Sequence, residues 1–262
     1  MADLRREPDG RAERVSQLLL FSLCEELEGM PDWWKVRGPD GYVGWVKESH
    51  TAPGDRPDPR WKVCVPVAVV RDTRSDRVLG RMTLDTRCSG TVQAARVDIP
   101  WPTGEVGWIA RKAVRLSTWV GTIEDVLAIA QQLVGVPYLW GGTSPFGFDC
   151  SGLVQRLFHL VFNRWLPRDS EDQREFGPHI PDLYRLQPGD LVFFPGHVGI
   201  WLGNGRLVHA SGRLGHVTVT RLIPPEGAYA QQLVGAFLSG VRIQPEAVGR
   251  SEAAIAPVSG PQ

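Results

Sequence analysis

The chain has 262 residues, of which 42% are hydrophobic and 22% are charged. This composition supports a buried core and excludes a largely disordered chain. Basic and acidic residues both number 29, so the formal net charge is zero and no global charge favours nucleic acid. We therefore expect a folded protein without a nucleic-acid partner.

The N-terminal segment lacks the pattern of a secretory signal. Such a signal needs a basic start, an apolar stretch of about 7–15 residues and a small-residue cleavage site. Here the apolar run from Leu18 to Leu23 is short, contains Ser22 and ends next to acidic residues. Nothing approaches the roughly 18–20 apolar residues of a membrane span. We expect a cytoplasmic protein with no membrane partner.

An internal repeat organises the first half of the chain. The segment GYVGWV at 41–46 recurs as GEVGWI at 104–109, an offset of 63 residues. The same offset aligns Trp34 with Val97. In both copies, alternating residues lead into a glycine-containing turn and then a Gly-Trp strand, which is the pattern of a β-hairpin.

The repeat predicts two β-rich modules, at 1–55 and 56–117, joined by the proline-rich segment 51–61. Their G-x-x-GWV hairpin resembles that of bacterial SH3-like domains, which are small all-β barrels. One irregular β domain is the alternative interpretation.

After Ser117 the pattern becomes helical. Thr122 and Asp125 form the spacing of a capping box ahead of a first amphipathic helix. A second amphipathic helix follows Cys150, and three strand-like segments come after it. Helices followed by an antiparallel sheet predict an α+β domain at 118–245. The small, polar tail at 246–262 is predicted to be disordered.

Cys150 lies where the second helix should begin, in the segment GFDCSGLV. Unpaired backbone N–H groups and the positive end of the helix dipole stabilise a thiolate at this position and lower its pKa. A thiolate is the attacking species in cysteine catalysis. The alternative is a cysteine that packs as a small hydrophobic residue, and position alone does not separate the two.

A nucleophilic cysteine needs a base, and two of the six histidines have a suitable pattern. His197 begins one strand and His209 lies on the next, after a turn at 203–205. With a three-residue turn, residue i pairs with residue 408 − i. His197 then faces Ser211, and His209 lies on the same face one diagonal step away. A two-residue turn would put the histidines on opposite faces.

A Cys-His-His metal site is a competing interpretation, because zinc accepts this set of ligands. The 47 residues between Cys150 and His197 differ from the close ligand spacing usual in such sites. We therefore predict no metal and no other cofactor.

Four segments together resemble the NlpC-type cell-wall peptidases, which are papain-like cysteine peptidases. They are YLWGGTSPFGFDCSGLVQ (138–155), RDSEDQ (168–173), LQPGDLVFF (186–194) and HVGIWLGNGRLVHASG (197–212). The resemblance covers roughly residues 120–245. With the two preceding modules, the chain is similar to γ-D-glutamyl-L-diamino acid endopeptidases, which act on peptidoglycan stem peptides with a free N-terminal L-alanine.

The resemblance implies a role for each residue of the catalytic pattern. Cys150 would be the nucleophile, His197 the base and His209 the residue that orients the base. Tyr138 would help to form the oxyanion hole together with the backbone N–H of Cys150. The alternative for Tyr138 is an aromatic residue that only packs beneath the helix.

The resemblance also implies substrate contacts. Trp140 would form a pocket wall, and Asp149 and Ser151 would contact the peptide. A free α-amine is a cation, so its pocket needs carboxylates and other oxygens. The candidates for this pocket are Tyr42, Asp169 and Ser170.

In relatives, an acidic residue early in the first module also faces the amine. Ser22 or Leu23 occupies the corresponding stretch here. This difference leaves open whether the free amine is strictly required.

These observations predict a cysteine endopeptidase of peptidoglycan recycling that cleaves L-Ala-γ-D-Glu-diamino acid peptides. A peptidoglycan-fragment binding protein with an occluded or idle peptidase site is the alternative from a different class. Acyl transfer to an amine on the same fold is a third possibility. The sequence specifies neither the diamino acid nor the oligomeric state.

Overall fold

The structure is a computed structural model that describes residues 1–54 and 59–243. In this part of the chain β-strands predominate, and the α-helices all lie after Thr122. The helices are α1 (Ile123–Gln132), α2 (Cys150–Phe162), α3 (Ser170–Arg174) and α4 (Gly227–Gly235). None of these helices is long and apolar enough to cross a membrane.

The N-terminal half consists of short strands. They are β1 (Ala2–Arg5), β2 (Arg14–Leu18), β3 (Glu25–Met30), β4 (Trp33–Arg37), β5 (Val43–Lys47), β6 (Trp61–Val63), β7 (Val67–Asp72), β8 (Val78–Thr83), β9 (Arg87–Cys88), β10 (Thr91–Gln93), β11 (Arg96–Pro100), β12 (Val106–Ala110) and β13 (Val114–Leu116).

The internal repeat is confirmed by two five-stranded sheets of the same topology. The first has the order β2-β1-β5-β4-β3, and the second has the matching order β8-β7-β12-β11-β10. The registers also agree, because Trp34 pairs with Val46 and Val97 pairs with Ile109. Each sheet has its own buried core. A separate sheet, β13-β6-β9, accompanies the second copy.

The two sheets support the predicted β-rich modules, whereas their assignment as two SH3-like barrels stays a prediction. The boundary predicted at residues 55 and 56 falls within a gap in the described residues. The predicted disordered tail at 246–262 also lies outside them.

The C-terminal domain packs α2 against an antiparallel sheet. Its strands are β14 (Thr143–Ser144), β15 (Gly147–Phe148), β16 (His179–Ile180), β17 (Leu191–Phe194), β18 (His197–Gly203), β19 (Arg206–Ser211), β20 (His216–Arg221) and β21 (Ser239–Val241). The six-stranded sheet has the order β16-β21-β17-β18-β19-β20, and β14 pairs with β15. This confirms the expected α+β arrangement, in which the consecutive strands β17 to β20 come after α2, the helix that begins at Cys150.

Both predicted helix starts are observed. Thr122 caps α1, and the backbone N–H of Thr122 donates to Asp125 Oδ2 at 2.9 Å, which completes the capping box. Asp149 caps α2 and accepts from the Gly152 N–H at 2.7 Å. Every residue of α2 is buried, because sheet strands cover one side and the N-terminal modules cover another. The start of α2 is therefore a rigid platform for Cys150.

Candidate functional site

Cys150 is the first residue of α2 and lies against β18. The backbone N–H groups of Val198 and Ser151 donate towards its sulfur. Gly152, two residues further on, is required by packing, because a Cβ there would collide with the Gly142 carbonyl oxygen. The Cys-Ser-Gly sequence thus brings the helix start close to the loop that carries Tyr138.

The acidity of Cys150 differs from the expectation. Burial raises the pKa of the thiol to about 11, and the Asp149 carboxylate adds to the rise, although the two backbone donors act in the opposite direction. The helix N-terminus alone therefore does not hold a thiolate here. An adjacent base has to take the proton if the sulfur is to attack.

His197 on β18 and His209 on β19 form a hydrogen-bonded pair. His197 Nε2 lies 2.8 Å from His209 Nδ1, and His209 Nε2 lies 2.9 Å from the Thr220 hydroxyl. His197 is adjacent in sequence to Val198, whose N–H reaches the Cys150 sulfur. Because His209 occupies Nε2 of His197, Nδ1 of His197 is the ring nitrogen that can accept a proton from the thiol. Thr220 was not identified from the sequence, because nothing local marks its contact with His209.

The hairpin that brings the histidines together has the predicted register. Ile200 pairs with Val208 and Trp201 with Leu207, so both pairs sum to 408. The turn itself has two residues, Asn204 and Gly205, and a bulge at the end of β18 supplies the odd residue. Asn204 and Gly205 both have positive φ, at 52° and 75°. The predicted face was thus right, although a bulge rather than a longer turn produces it.

Burial also keeps the histidine pair neutral. It lowers the pKa of His197 to about 4 and that of His209 to about 3, with the neighbouring His197 contributing to the second shift. A neutral His197 can accept a proton at pH 7. Both the Cys150 thiol and the His197 imidazole are therefore neutral at pH 7.

Tyr138 lies close enough to Cys150 and Asp149 for their charges to affect it. Burial raises the pKa of its hydroxyl to about 12, and both neighbouring groups add to the rise. The ring stacks over Gly212, where a Cβ would lie 3.3 Å from Tyr138 Cζ. The hydroxyl therefore stays protonated near the sulfur and can act as a hydrogen-bond donor.

Arg168 is a buried residue that no local sequence pattern marks as part of the site. Its guanidinium donates from Nη1 to Asp149 Oδ1 at 3.1 Å and from Nη2 to Asp149 Oδ2 at 2.6 Å. It also donates to the hydroxyls of Ser151, at 2.9 Å, and of Ser16, at 3.2 Å. A bidentate arginine–carboxylate pair thus fixes the residue before the nucleophile and connects it to the first module.

The oxygen atoms of Asp149 and Ser151 have internal partners. Asp149 accepts from the N–H groups of Gly141 and Gly152 as well as from Arg168. Both side chains are buried. Their predicted role as direct substrate contacts stays a prediction, and the geometry shows them holding the start of α2.

The first module contributes two side chains beside the predicted amine pocket. The Tyr42 hydroxyl donates to Asp169 Oδ2 at 3.2 Å, although 127 residues separate them in sequence. Asp169 immediately precedes Ser170, the first residue of α3. Glu13 accepts a hydrogen bond from Trp140 Nε1 at 2.8 Å. The resemblance predicts this module's acid at 22–23, whereas the acid that meets Trp140 in the structure is Glu13.

Trp140 is 60% exposed and stands at the rim of this region. Its carbonyl oxygen also accepts from Arg14, at 3.2 Å. Among the described residues, no group of three or more His, Cys, Asp or Glu side chains is arranged to hold a metal.

A cysteine nucleophile and a histidine base that a third polar residue orients are the arrangement of papain-like cysteine peptidases, and here His209 has the place of the orienting residue. Residues 135–236 match the NlpC/P60 family, so the chain contains an NlpC/P60 domain. Members of the family are cysteine peptidases.

Individual relatives resemble different amounts of the chain. Dipeptidyl-peptidase 6 of Lysinibacillus sphaericus is 29% identical over 265 residues, covering 89% of this chain and 93% of the relative. A gamma-D-glutamyl-L-lysine dipeptidyl-peptidase of Bacillus subtilis is 40% identical over 107 residues, covering 37% of this chain and 35% of the relative. The chain thus spans about a third of the second relative.

A crystal structure of an NlpC/P60 family protein from Bacillus cereus has a similar fold. The two structures superpose with a TM-score of 0.77 at 24% identity. The match covers 87% of this chain and 82% of the other. The likeness extends beyond the peptidase domain and therefore includes the N-terminal sheets.

The buried histidines predict a loss of stability in mild acid. The pKa values of His197 and His209 are lower in the folded chain than their ordinary value of 6.5. The unfolded chain therefore binds more protons below pH 6.5, and the free energy of unfolding falls as the pH drops from 6.5 towards 4. The slope is up to about 1.4 kcal/mol per pH unit for each histidine.

Urea unfolding at several pH values between 7.5 and 4.5 measures this slope. A His209→Asn variant should lose part of it, whereas His179→Gln should not, because His179 is exposed. Equal stability at pH 6.5 and 4.5 would contradict the prediction.

Proposed function

We propose that the protein hydrolyses the bond between γ-D-glutamate and the diamino acid in peptidoglycan stem peptides with a free N-terminal L-alanine. The observation that carries this proposal is the hydrogen bond between Tyr42 of the first module and Asp169 of the peptidase domain. It brings an acceptor carboxylate from one domain and a phenol from another together, and Asp169 follows Arg168, which pairs with Asp149 next to Cys150. A peptide whose charged amine ends at this point would fit, whereas a longer chain would meet the first module.

The charges of this region suit an ammonium group. Asp169 is half-buried, and burial raises its pKa while the adjacent Arg168 lowers it. Glu13 lies at Trp140 and pairs with Arg6 at 2.6 Å. An ammonium group that enters a partly buried site requires such carboxylates as partners. We assign Asp169, Tyr42 and Glu13 to the amine end, and Ser170 to its edge.

In the proposed reaction, His197 takes the thiol proton as the Cys150 sulfur attacks the γ-glutamyl carbonyl carbon. The C–N bond breaks, and the amine of the diamino acid leaves with that proton. Water then attacks the thioester, His197 accepts its proton, and the thiol is restored. The Tyr138 hydroxyl and the Cys150 N–H would stabilise the oxyanion, and each such donor contributes about 10²–10³ in rate.

Named activities of similar proteins support this choice of bond. A Bacillus subtilis relative is a gamma-D-glutamyl-L-lysine dipeptidyl-peptidase. A Mycobacterium tuberculosis relative, 42% identical over 115 residues, is the peptidoglycan endopeptidase RipB. We also propose a role in recycling and a cytoplasmic location. Fractionation of cells that produce the tagged protein tests the location.

The substrate proposal is tested with three synthetic peptides followed by mass spectrometry. They are L-Ala-γ-D-Glu-L-Lys, the corresponding diaminopimelate peptide, and the N-acetylated form of whichever is cleaved. We expect cleavage at the γ-glutamyl bond and a large loss with the N-acetyl form. Asp169→Asn should raise KM for the free-amine peptide more than it lowers kcat. Cleavage that is unaffected by N-acetylation would contradict the amine requirement.

Thr220 gives a further prediction about the base. For His197 Nδ1 to accept a proton, His197 must donate from Nε2 to His209 Nδ1, which places the His209 proton on Nε2. In that arrangement the Thr220 oxygen accepts from the His209 Nε2–H, so the hydroxyl gives a hydrogen-bond partner to the tautomer that the base requires. Thr220→Val should lower kcat about tenfold to a hundredfold, since a misoriented base loses part of the acid–base contribution.

Thr220→Ser is the matched control, because it keeps the hydroxyl and should retain most of the activity. Steady-state kinetics and a pH–rate profile measure both variants. Wild-type kcat in Thr220→Val would exclude this role for the hydroxyl.

Burial of the nucleophile favours a second candidate function, an idle or occluded site that only binds peptidoglycan fragments. Cys150 is 8% exposed, and burial raises its pKa to about 11. The rate of alkylation of Cys150 by iodoacetamide decides between the two. A rate at least as fast as that of a small free thiol supports catalysis, whereas a slower rate together with an intact peptide supports binding only.

A further inference from the structure

A cavity of about 510 Å³ lies where the two N-terminal sheets meet α2. It is lined by segments 16–23 and 100–102, and by side chains from both the second module and α2. None of the residues assigned above to catalysis or to the amine end lines it. Its volume is in the range of small-molecule sites, about 300–1,000 Å³.

One wall of this junction cavity is apolar. Leu20, Phe21 and Trp101 line it, and the Phe21 and Trp101 rings meet edge to face with centroids 6.4 Å apart. Further apolar surface comes from prolines of both modules. These are Pro39, Pro59, Pro100 and Pro102. The wall offers apolar area on which an apolar side chain can pack.

The end formed by the second module has more cationic groups than carboxylates. Asp85 is fully buried, and its Oδ2 accepts from Arg156 at 3.0 Å and from His159 at 2.5 Å. Its Oδ1 has no hydrogen-bond partner and lies 3.6 Å from Arg87 Nε, which also lacks one. The buried Lys62 ammonium is close enough to affect the same carboxylate. Three cations thus surround one carboxylate.

Arg87 is the cation of this group that an anion can reach. Its side chain is 24% exposed, compared with 6% for Arg156, and Lys62 is fully buried with three oxygen acceptors. Arg87 uses Nη2 for Asn163 and the His159 carbonyl oxygen. Nε is buried beside Asp85 Oδ1, so Nη1, which none of these contacts uses, remains the guanidinium donor for a further acceptor.

The end formed by the first module has a carboxylate without a cation. Asp40 accepts from the Tyr42 N–H at 3.1 Å and from Gln155 Nε2 at 3.1 Å. Both donors are neutral, and no ion pair within residues 1–54 and 59–243 engages Asp40. A carboxylate that faces a partly closed cavity is stabilised by a cation placed there.

We propose that the junction cavity binds a small zwitterion with an apolar body, namely an apolar α-amino acid or a dipeptide of such residues. Its carboxylate pairs with Arg87, its ammonium pairs with Asp40, and its side chain packs on the Phe21–Trp101 wall. The two charged partners belong to different modules, so a bound ligand contacts both. This site goes beyond the proposed peptidase activity and does not depend on it.

Three probes that share a phenyl ring test the charges separately. They are L-phenylalanine, hydrocinnamate, which lacks the ammonium, and 2-phenylethylamine, which lacks the carboxylate. Calorimetric titration of the full chain carrying Cys150→Ala measures binding without turnover. We expect saturable binding of L-phenylalanine, and about tenfold weaker binding of either singly charged probe, because a charge-assisted hydrogen bond contributes that much or more.

Variants assign the binding to this cavity. Asp40→Asn and Arg87→Gln should each weaken L-phenylalanine binding about tenfold, which is the loss expected for one charge-assisted contact. Asp76→Asn, an exposed carboxylate of the second module, is the matched control. Asp169→Asn separates the junction cavity from the amine end of the peptidase groove and should leave binding unchanged. Thermal unfolding confirms that each variant is folded.

Several results would overturn the proposal. One is the absence of saturable heat with L-phenylalanine and with L-phenylalanyl-L-alanine up to millimolar concentration, which would mean that the cavity holds solvent only. Equal affinity of the three probes would exclude recognition of both charges. Loss of binding in Asp169→Asn, with Asp40→Asn unaffected, would place the ligand at the amine end of the proposed peptidase site instead.

Discussion

A Cys150→Ala variant should lose roughly 10⁴–10⁶-fold in kcat/KM on the cleaved stem peptide, since removal of a nucleophile leaves only binding and oxyanion stabilisation. The sulfur has no substitute nearby, because no other cysteine lies at this helix start. Adding His197→Ala to this variant should cost little more, since nucleophile and base act as one unit. Single-turnover kinetics with a labelled peptide measure all three proteins.

Cys64→Ala is the matched control for this experiment. Cys64 is a partly buried free thiol whose pKa is also raised by burial, and its sulfur contacts the Lys62 carbonyl oxygen. It should keep wild-type kcat/KM. Residual hydrolysis by Cys150→Ala within tenfold of wild type would show that another group attacks the peptide.

The sequence could predict the histidine pair because its geometry depends on local features. A hairpin register follows from the alternation of strand residues and the positions of turn glycines, and both histidines lie within eight residues of the turn. The bulge at Gly203 preserved the sum of 408 that places them on one face. The capping box of α1 was equally local, since it needs only Thr122 and Asp125.

The acidity of Cys150 could not be predicted in the same way. The helix N-terminus is visible in the sequence and lowers a thiol pKa, but the burial that raises it depends on packing by distant segments. β18 covers the sulfur from more than 40 residues away, as the Val198 contact shows. The expected direction was wrong because the local effect is smaller than the desolvation effect.

The contacts between the first module and the peptidase domain could not be predicted from local sequence patterns either. Glu13 meets Trp140, and Tyr42 meets Asp169, each across 127 residues. The resemblance led to Tyr42 and Asp169 but placed the first module's acid at 22–23. That stretch lies instead along the junction cavity, where Ser22 and Leu23 are lining residues. Which residues of a module contact the neighbouring domain thus has to be learned from the folded structure.

Arg168 is expected to have the second largest effect. Arg168→Met should destabilise the fold by about 3–5 kcal/mol, because it leaves the buried Asp149 carboxylate without its bidentate partner. Asp149 would still accept from the N–H groups of Gly141 and Gly152, but these do not neutralise its charge. Activity should fall as well, since the residue before the nucleophile would shift. Urea unfolding and kcat measured below the unfolding transition separate the two effects.

A double-mutant cycle distinguishes lost charge pairing from a general packing defect. Asp149→Asn removes the carboxylate charge, keeps an oxygen for the Gly152 N–H and retains the helix cap. Combined with Arg168→Met, it should recover at least half of the lost stability, since no unpaired buried charge remains. Because the amide side chain of this variant lacks the second carboxylate oxygen, kcat should recover less than stability does. Additive losses in the double variant would show that Arg168 stabilises the site through Ser16 and Ser151 alone.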